Sequence, residues 1–228
     1  MPSSRPDGPP LLPLCCPACG GSLDPLQEDI IFLCPACGGA SELQSATTIR
    51  CELRHATPAG LARPVHLPFW RLGAGAVTPA FNGARLLTLT RWFSERATAL
   101  DALHGGSPPR ALWGGRIGSV DARRVFALAV DGPLCAPPRS RPNATHPASL
   151  AGGGDVGPRE PMRSAPGTPS APPVAPPDPA TPPVLMAIPF LREPSRLVCM
   201  LTGLHIYLET LEGAMELLAR WDKLDGQA

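Results

Sequence analysis

Apolar residues in the middle and at the end of the chain recur at two spacings, one near 3.6 residues and one near 2, and these predict helices and strands in alternation. Leu86, Leu89, Trp92 or Phe93, Ala97 and Leu100 follow the helical interval, and Gly105-Gly106 come after them, so residues 85–103 read as one helix with its aromatic pair on the core face. A second helix is expected over residues 119–130, with Ser119 placed to cap it, although the short apolar run 125–130 also suits a strand. Residues 197–208 read as a strand kinked at Gly203. A closing amphipathic helix follows over 211–224, with Leu211, Met215, Leu218 and Trp221 or Asp222 on one face. Three further segments, Leu67-Pro68-Phe69-Trp70, Thr78-Pro79-Ala80-Phe81 and Ile188-Pro189-Phe190, each set a proline shortly before an aromatic residue. Proline favours extended geometry before it and is tolerated where strands begin, so each reads as a strand start with an aromatic core anchor. A structural repeat and three unrelated strand starts are both open on this pattern. The expected class is α+β.

Composition then removes part of the chain from that fold. Of the 228 residues, 32 are proline and 23 glycine, and 15 of the prolines fall within the 48 residues 136–183, which contain no Phe, Trp or Tyr. Such a segment has too little apolar surface to order itself and reads as a disordered proline-rich linker or insertion. It serves as a tether rather than a docking site, since no PxxP cluster with basic anchors stands out. Residues 1–14 read as a disordered lead, because Leu11-Leu12-Pro13-Leu14 is too short and proline-broken for an export signal. Four parts result: the lead, a small module at 15–49, a discontinuous α+β domain made of 61–135 with 184–228, and the insertion at 136–183. Arginine far outnumbers lysine, of which Lys223 is the single example, a bias that fits a GC-rich bacterial genome.

The most specific chemistry lies in the small module. Cys16-Pro17-Ala18-Cys19-Gly20 and Cys34-Pro35-Ala36-Cys37-Gly38 are matched CPxCG turns, with fourteen residues between Cys19 and Cys34. Proline presets the turn and the trailing glycine supplies a left-handed residue, so both thiols of each pair face one point. Two such turns predict four sulfur ligands around one metal ion. Iron in a rubredoxin-like site is a weighed alternative, but the spacer offers only Phe32 as an aromatic wall. A disulfide framework would need an oxidising compartment, and a thioredoxin-like redox pair would need a helix start. Cys15, beside Cys16, is an alternative first ligand.

These turns resemble the zinc-ribbon family over residues 15–43. The resemblance implies a small antiparallel sheet pinned by one structural zinc ion through Cys16, Cys19, Cys34 and Cys37. The order of ribbon, PFW, PAF and late PF elements also resembles a group of uncharacterised bacterial zinc-ribbon proteins. No activity follows from either likeness, because ribbons serve many functions.

Charge narrows the functional classes. Residues 15–49 carry Asp24, Glu28, Asp29 and Glu42 with no basic residue, which suits a nucleic-acid contact poorly, whereas twelve arginines fall within residues 50–139. Arg85, Arg91, Arg96, Arg110, Arg116, Arg123 and Arg124 would form a basic surface if they clustered. No apolar run reaches the roughly 18 to 20 residues of a membrane span, so a soluble cytoplasmic protein is expected. His55, His66, His104, His146 and His205 show no metal-ligand spacing, and no nucleophile elbow, P-loop or dinucleotide fingerprint is present. Cys51, Cys135 and Cys199 read as inert buried thiols. The leading expectation is a non-catalytic zinc protein that acts as an adaptor or accessory subunit through contacts with an unidentified protein partner. Nucleic-acid binding through the arginine-rich middle is the alternative. An enzyme built around His66, Trp70 and His205 is a third reading, with no catalytic residue assigned.

Overall fold

In the computed structural model, residues 14–23, 28–56, 64–103, 105, 108–109, 111–131 and 177–213 are described. They form an α+β fold. The strands are β1 (Ile31–Leu33), β2 (Ala40–Gln44), β3 (Thr47–His55), β4 (Val65–Arg71), β5 (Val77–Pro79), β6 (Val184–Arg192), β7 (Arg196–Cys199) and β8 (His205–Tyr207). Helices α1 (Leu86–Ser94) and α2 (Ser119–Asp131) lie between β5 and β6. The lead, most of the proline-rich segment and the expected closing helix beyond residue 213 lie outside the described residues.

All eight strands belong to one sheet, ordered β1-β2-β3-β6-β4-β5, with β7 also on β6 and β8 on β7. β6 is apolar along almost its whole length and is buried from Leu185 to Phe190, as expected of a strand covered on both faces. Its first half pairs in parallel with β3, Glu52 opposite Val184 through His55 opposite Ala187. β3 therefore starts in the N-terminal hairpins and ends in the larger sheet, and residue 49 falls within it.

The two faces of β4 organise the core. Val65, Leu67 and Phe69 point into one cluster with Leu89 and Phe93 of α1, and Trp70 points into the other with Ala122 and Phe126 of α2. The three proline–aromatic segments converge: the Phe69 ring lies 5.4 Å from that of Phe81, 6.2 Å from Phe190 and 4.5 Å from Phe93. Their prolines do not mark strand starts, however, since Pro68 and Pro189 lie inside β4 and β6. Pro68 accepts the Ala80 N–H and Pro189 accepts the Met200 N–H through their carbonyls. A strand residue turns both backbone groups the same way, so each missing N–H faces the place where β5 has ended or where β3 gives way to β7, and no ladder bond is lost.

Two expected elements are divided. Residues 85–103 form α1 and then, after Arg96 leaves helical geometry (φ −118°, ψ 19°), a 3-10 helix over Ala97–Ala102. Ser94 ends α1 by bonding both the N–H and the carbonyl of Val77 through its hydroxyl. Beyond it the buried residues Ala97, Leu100 and Leu103 recur every three positions, the 3-10 period. The single strand expected over 197–208 is a hairpin, β7 and β8, in which Gly203 (φ +70°) donates to the Cys199 carbonyl.

Helix α2 is capped from across the sheet. Ser119, read as the cap, is its first residue, and the carboxylate of buried Glu42 on β2 accepts its N–H at 2.7 Å and its hydroxyl at 3.2 Å. Gln44 donates to the other Glu42 oxygen at 3.0 Å. A negative group at a helix N-terminus meets unpaired N–H groups and the positive end of the dipole, which is how this carboxylate tolerates burial. The approach needs bare backbone: a Cβ at Gly118 would lie 2.6 Å from the Glu42 carboxylate, and one at Gly115 would lie 2.5 Å from the Ile31 Cβ. The Gly115 carbonyl accepts the N–H groups of Ile30 and Ile31 at 2.7 and 3.0 Å, so it cannot retreat without breaking them. Gly115→Ala is expected to lower stability by about 1–3 kcal/mol, seen as a lower urea midpoint at unchanged slope. An unaltered midpoint would mean that this packing is absent in solution.

Candidate metal centre

Each CPACGG segment folds as the same knuckle. Gly20 donates to the Cys16 carbonyl and Gly38 to the Cys34 carbonyl, both at 2.8 Å, while Cys16 donates to the Gly21 carbonyl at 2.8 Å and Cys34 to the Gly39 carbonyl at 2.9 Å. Gly20 and Gly38 take φ of +73° and +69°, the left-handed geometry expected of them. The second glycine of each segment was not singled out on sequence, yet it guards the sulfurs. A Cβ at Gly21 or Gly39 would sit 3.3 Å from the Cys19 or Cys37 Sγ.

A small apolar cluster holds the knuckles together. Buried Leu23 and Phe32 pack with Cys16 and Cys34, and Leu14 and Leu43 close over them. β1 serves two cores by alternation, Phe32 facing the cysteines and Ile31 the α2 side of the sheet. Cys19 and Cys37 remain exposed.

The four sulfurs of Cys16, Cys19, Cys34 and Cys37 all lie within 4.8 Å of one another. Cys16 and Cys37 are separated by 3.7 Å, and Cys19 and Cys34 by 3.5 Å. A tetrahedron with metal–sulfur bonds of about 2.3 Å has edges of about 3.8 Å, so the set could hold a metal ion with little movement. None of these cysteines is disulfide-bonded, and each knuckle runs on from a turn rather than into a helix. Cys15 is exposed and stands outside the group; its backbone pairs with Ser22 and accepts the Thr48 hydroxyl.

The electrostatics suit thiolates. Burial alone would raise the Cys16 pKa, but N–H groups of Ala18 and Cys19, with the neighbouring sulfurs, hold it down at about 7. Cys34 is also lowered, chiefly by the Cys37 N–H against the effect of burial. At Cys19 the Gly21 N–H favours the anion, yet the sulfurs of Cys34, Cys37 and Cys16 outweigh it and push the thiol up to about 12. The neighbouring sulfurs thus oppose one another as anions, the situation a divalent cation resolves.

Other candidate residues are not brought together. Trp70 is fully buried and donates to the Ile117 carbonyl at 2.8 Å, His66 is buried beside the Ala56 carbonyl, and His205 is exposed on β8. Burial lowers the His66 pKa. Cys51 and Cys199 are buried, and burial, aided by the charge of Glu42, pushes Cys51 up to about 12. Cys135, His104, His146 and Arg110 lie outside the described residues. Arg91 and Arg96 pair with Glu95, Arg124 pairs with Asp121, and Arg116 pairs with Glu28. Arg123 donates to the carbonyls of Asp178 and Thr181, where the end of the proline-rich segment meets α2. Among the described residues no helix is long and apolar enough to cross a membrane. Compared with family models, curated proteins and solved structures, the chain matches none.

One divalent ion per chain is expected on elemental analysis. Cys15→Ser should retain it, whereas Cys16→Ser or Cys34→Ser should lose it. Equal metal content in Cys15→Ser and Cys16→Ser proteins would refute the assigned group.

Proposed function

We propose that the N-terminal module is a zinc ribbon and that the chain is a non-catalytic adaptor or accessory subunit acting through protein contacts in the cytoplasm. Zinc is held by Cys16, Cys19, Cys34 and Cys37. The observation that carries this reading is the convergence of four thiols from two matched knuckles, a closed donor set with no position for a substrate. Such a site supplies folding energy, about 10–16 kcal/mol of apparent binding free energy in comparable small modules. The unbonded cysteines of the described residues suit a reducing compartment.

Phosphate binding is less well supported. Arg91, Arg96, Arg116 and Arg124 face carboxylates, which leaves less positive charge for nucleic acid than the sequence count offers. Capture with the full-length protein from its host should recover protein partners from the zinc-loaded form and not from Cys34→Ser. Recovery of nucleic acid that is released by moderate salt, with no protein partner, would overturn the adaptor reading.

A further inference from the structure

Among the described residues, the outer edges of β5 and β1 are met by other parts of the chain. Val77 of β5 gives both backbone groups to Ser94, and Ile31 of β1 donates to Gly115. β8 differs. Its partner is β7, with Leu197 opposite Ile206, and no other strand pairs with it among the described residues.

The hydrogen bonds fix which way β8 faces. Cys199 donates to the Leu204 carbonyl and Leu208 to the Ser195 carbonyl, so even-numbered residues of this stretch bond to β7. By the alternation of antiparallel pairing, His205 and Tyr207 turn their backbone groups away from β7. The Tyr207 carbonyl takes the Thr210 hydroxyl at 2.7 Å. Among the described residues the N–H and carbonyl of His205 and the N–H of Tyr207 have no partner, and they form an open edge. Beside them runs a cleft of about 290 Å³, walled on one side by Arg85, Leu89 and Trp92 of α1 and its entry, and on the other by consecutive residues 203–207. That consecutive residues line one cleft agrees with a chain that presents its edge to it.

The geometry points to β8 as the docking edge for an extended peptide of a partner protein, which adds a strand between β8 and α1. The peptide sets an apolar side chain over Leu89 and Trp92 and a carboxylate beside Arg85. This inference rests on the adaptor reading and identifies its contact surface. Exposed Arg85 has no ion pair among the described residues, unlike Arg91 and Arg96 of the same region, and so supplies the charge that selects an acidic segment. Main-chain bonds give such a contact its affinity and the flanking side chains its preference. Proline is excluded at the positions that must donate to β8.

The test uses the full-length, zinc-loaded protein and a random decapeptide library. Selection should enrich proline-poor sequences in which apolar and acidic residues alternate. Against an enriched peptide, His205→Pro, which deletes an outward N–H without touching the β7 ladder, should weaken binding about tenfold, while His205→Ala should change it little. Arg85→Glu, at an exposed position, should weaken acidic peptides by a similar factor and shift selection toward basic ones, and it decides the matter if His205→Pro fails to fold. No enrichment over the starting library, or binding by both variants as tight as that of the unaltered protein, would overturn the proposal. So would a dimer dissolved by His205→Pro, because a second copy would then be the occupant. Host partners captured undiminished by His205→Pro would remove this edge and leave the adaptor reading standing.

Discussion

The parallel pairing of β3 with β6 makes one fold of two distant parts of the chain. Residues 52–55 meet residues 184–187, and the chain between them supplies β4, β5 and both helices before it returns to the sheet. Parallel strands need a long crossover, and closing one costs entropy that grows slowly with its length, so a long proline-rich insertion is tolerated within it. The pairing also brings β2, and with it Glu42, over the start of α2. Without β3 on β6, that buried carboxylate would have no N–H groups to receive it.

This connection bears on how the cysteine site acts. Four sulfurs within 4.8 Å repel one another as thiolates, and a module whose buried cluster among the described residues is Leu23, Phe32 and two cysteines opposes that weakly by packing. A cation would convert the repulsion into the module's main cohesive force. Because β1 turns Ile31 into the α2-side core while Phe32 supports the cysteines, order in the knuckles passes to the larger sheet through adjacent residues of one strand. A structural metal here would steady the cap of α2 as well as the hairpins.

Much of this was legible in the sequence where the signal is local. The CPACG repeats fix their own turns, and the aromatic residues after Pro68, Pro79 and Pro189 do gather in one core. The division of residues 85–103 was also present in the spacing, since Ala97, Leu100 and Leu103 stand three apart, but it reads as a frayed α-helix unless Ser94 is known to bind Val77. Gly203 was seen as a kink because glycine alone does not say whether a chain bends or reverses. Nonlocal features left no such mark. Nothing near Glu42 announces that it caps a helix 77 positions away, and the close contact at Gly115 shows only when Ile31 is beside it.

Edge management gives the fold its direction. At the cysteine-bearing end, carbonyls and side chains of other segments take up outward backbone groups; at the β7–β8 end, no described residue does so for His205. Native sheets rarely leave such groups free, because an open edge invites pairing with any extended chain. The hazard is limited here by length, since among the described residues β8 offers only three outward groups, and by α1, whose Leu89 and Trp92 wall the cleft beside it. A site so limited binds selectively only if the protein around it is rigid, and that rigidity comes from β6, held by β4 on one side and by β3 and β7 on the other.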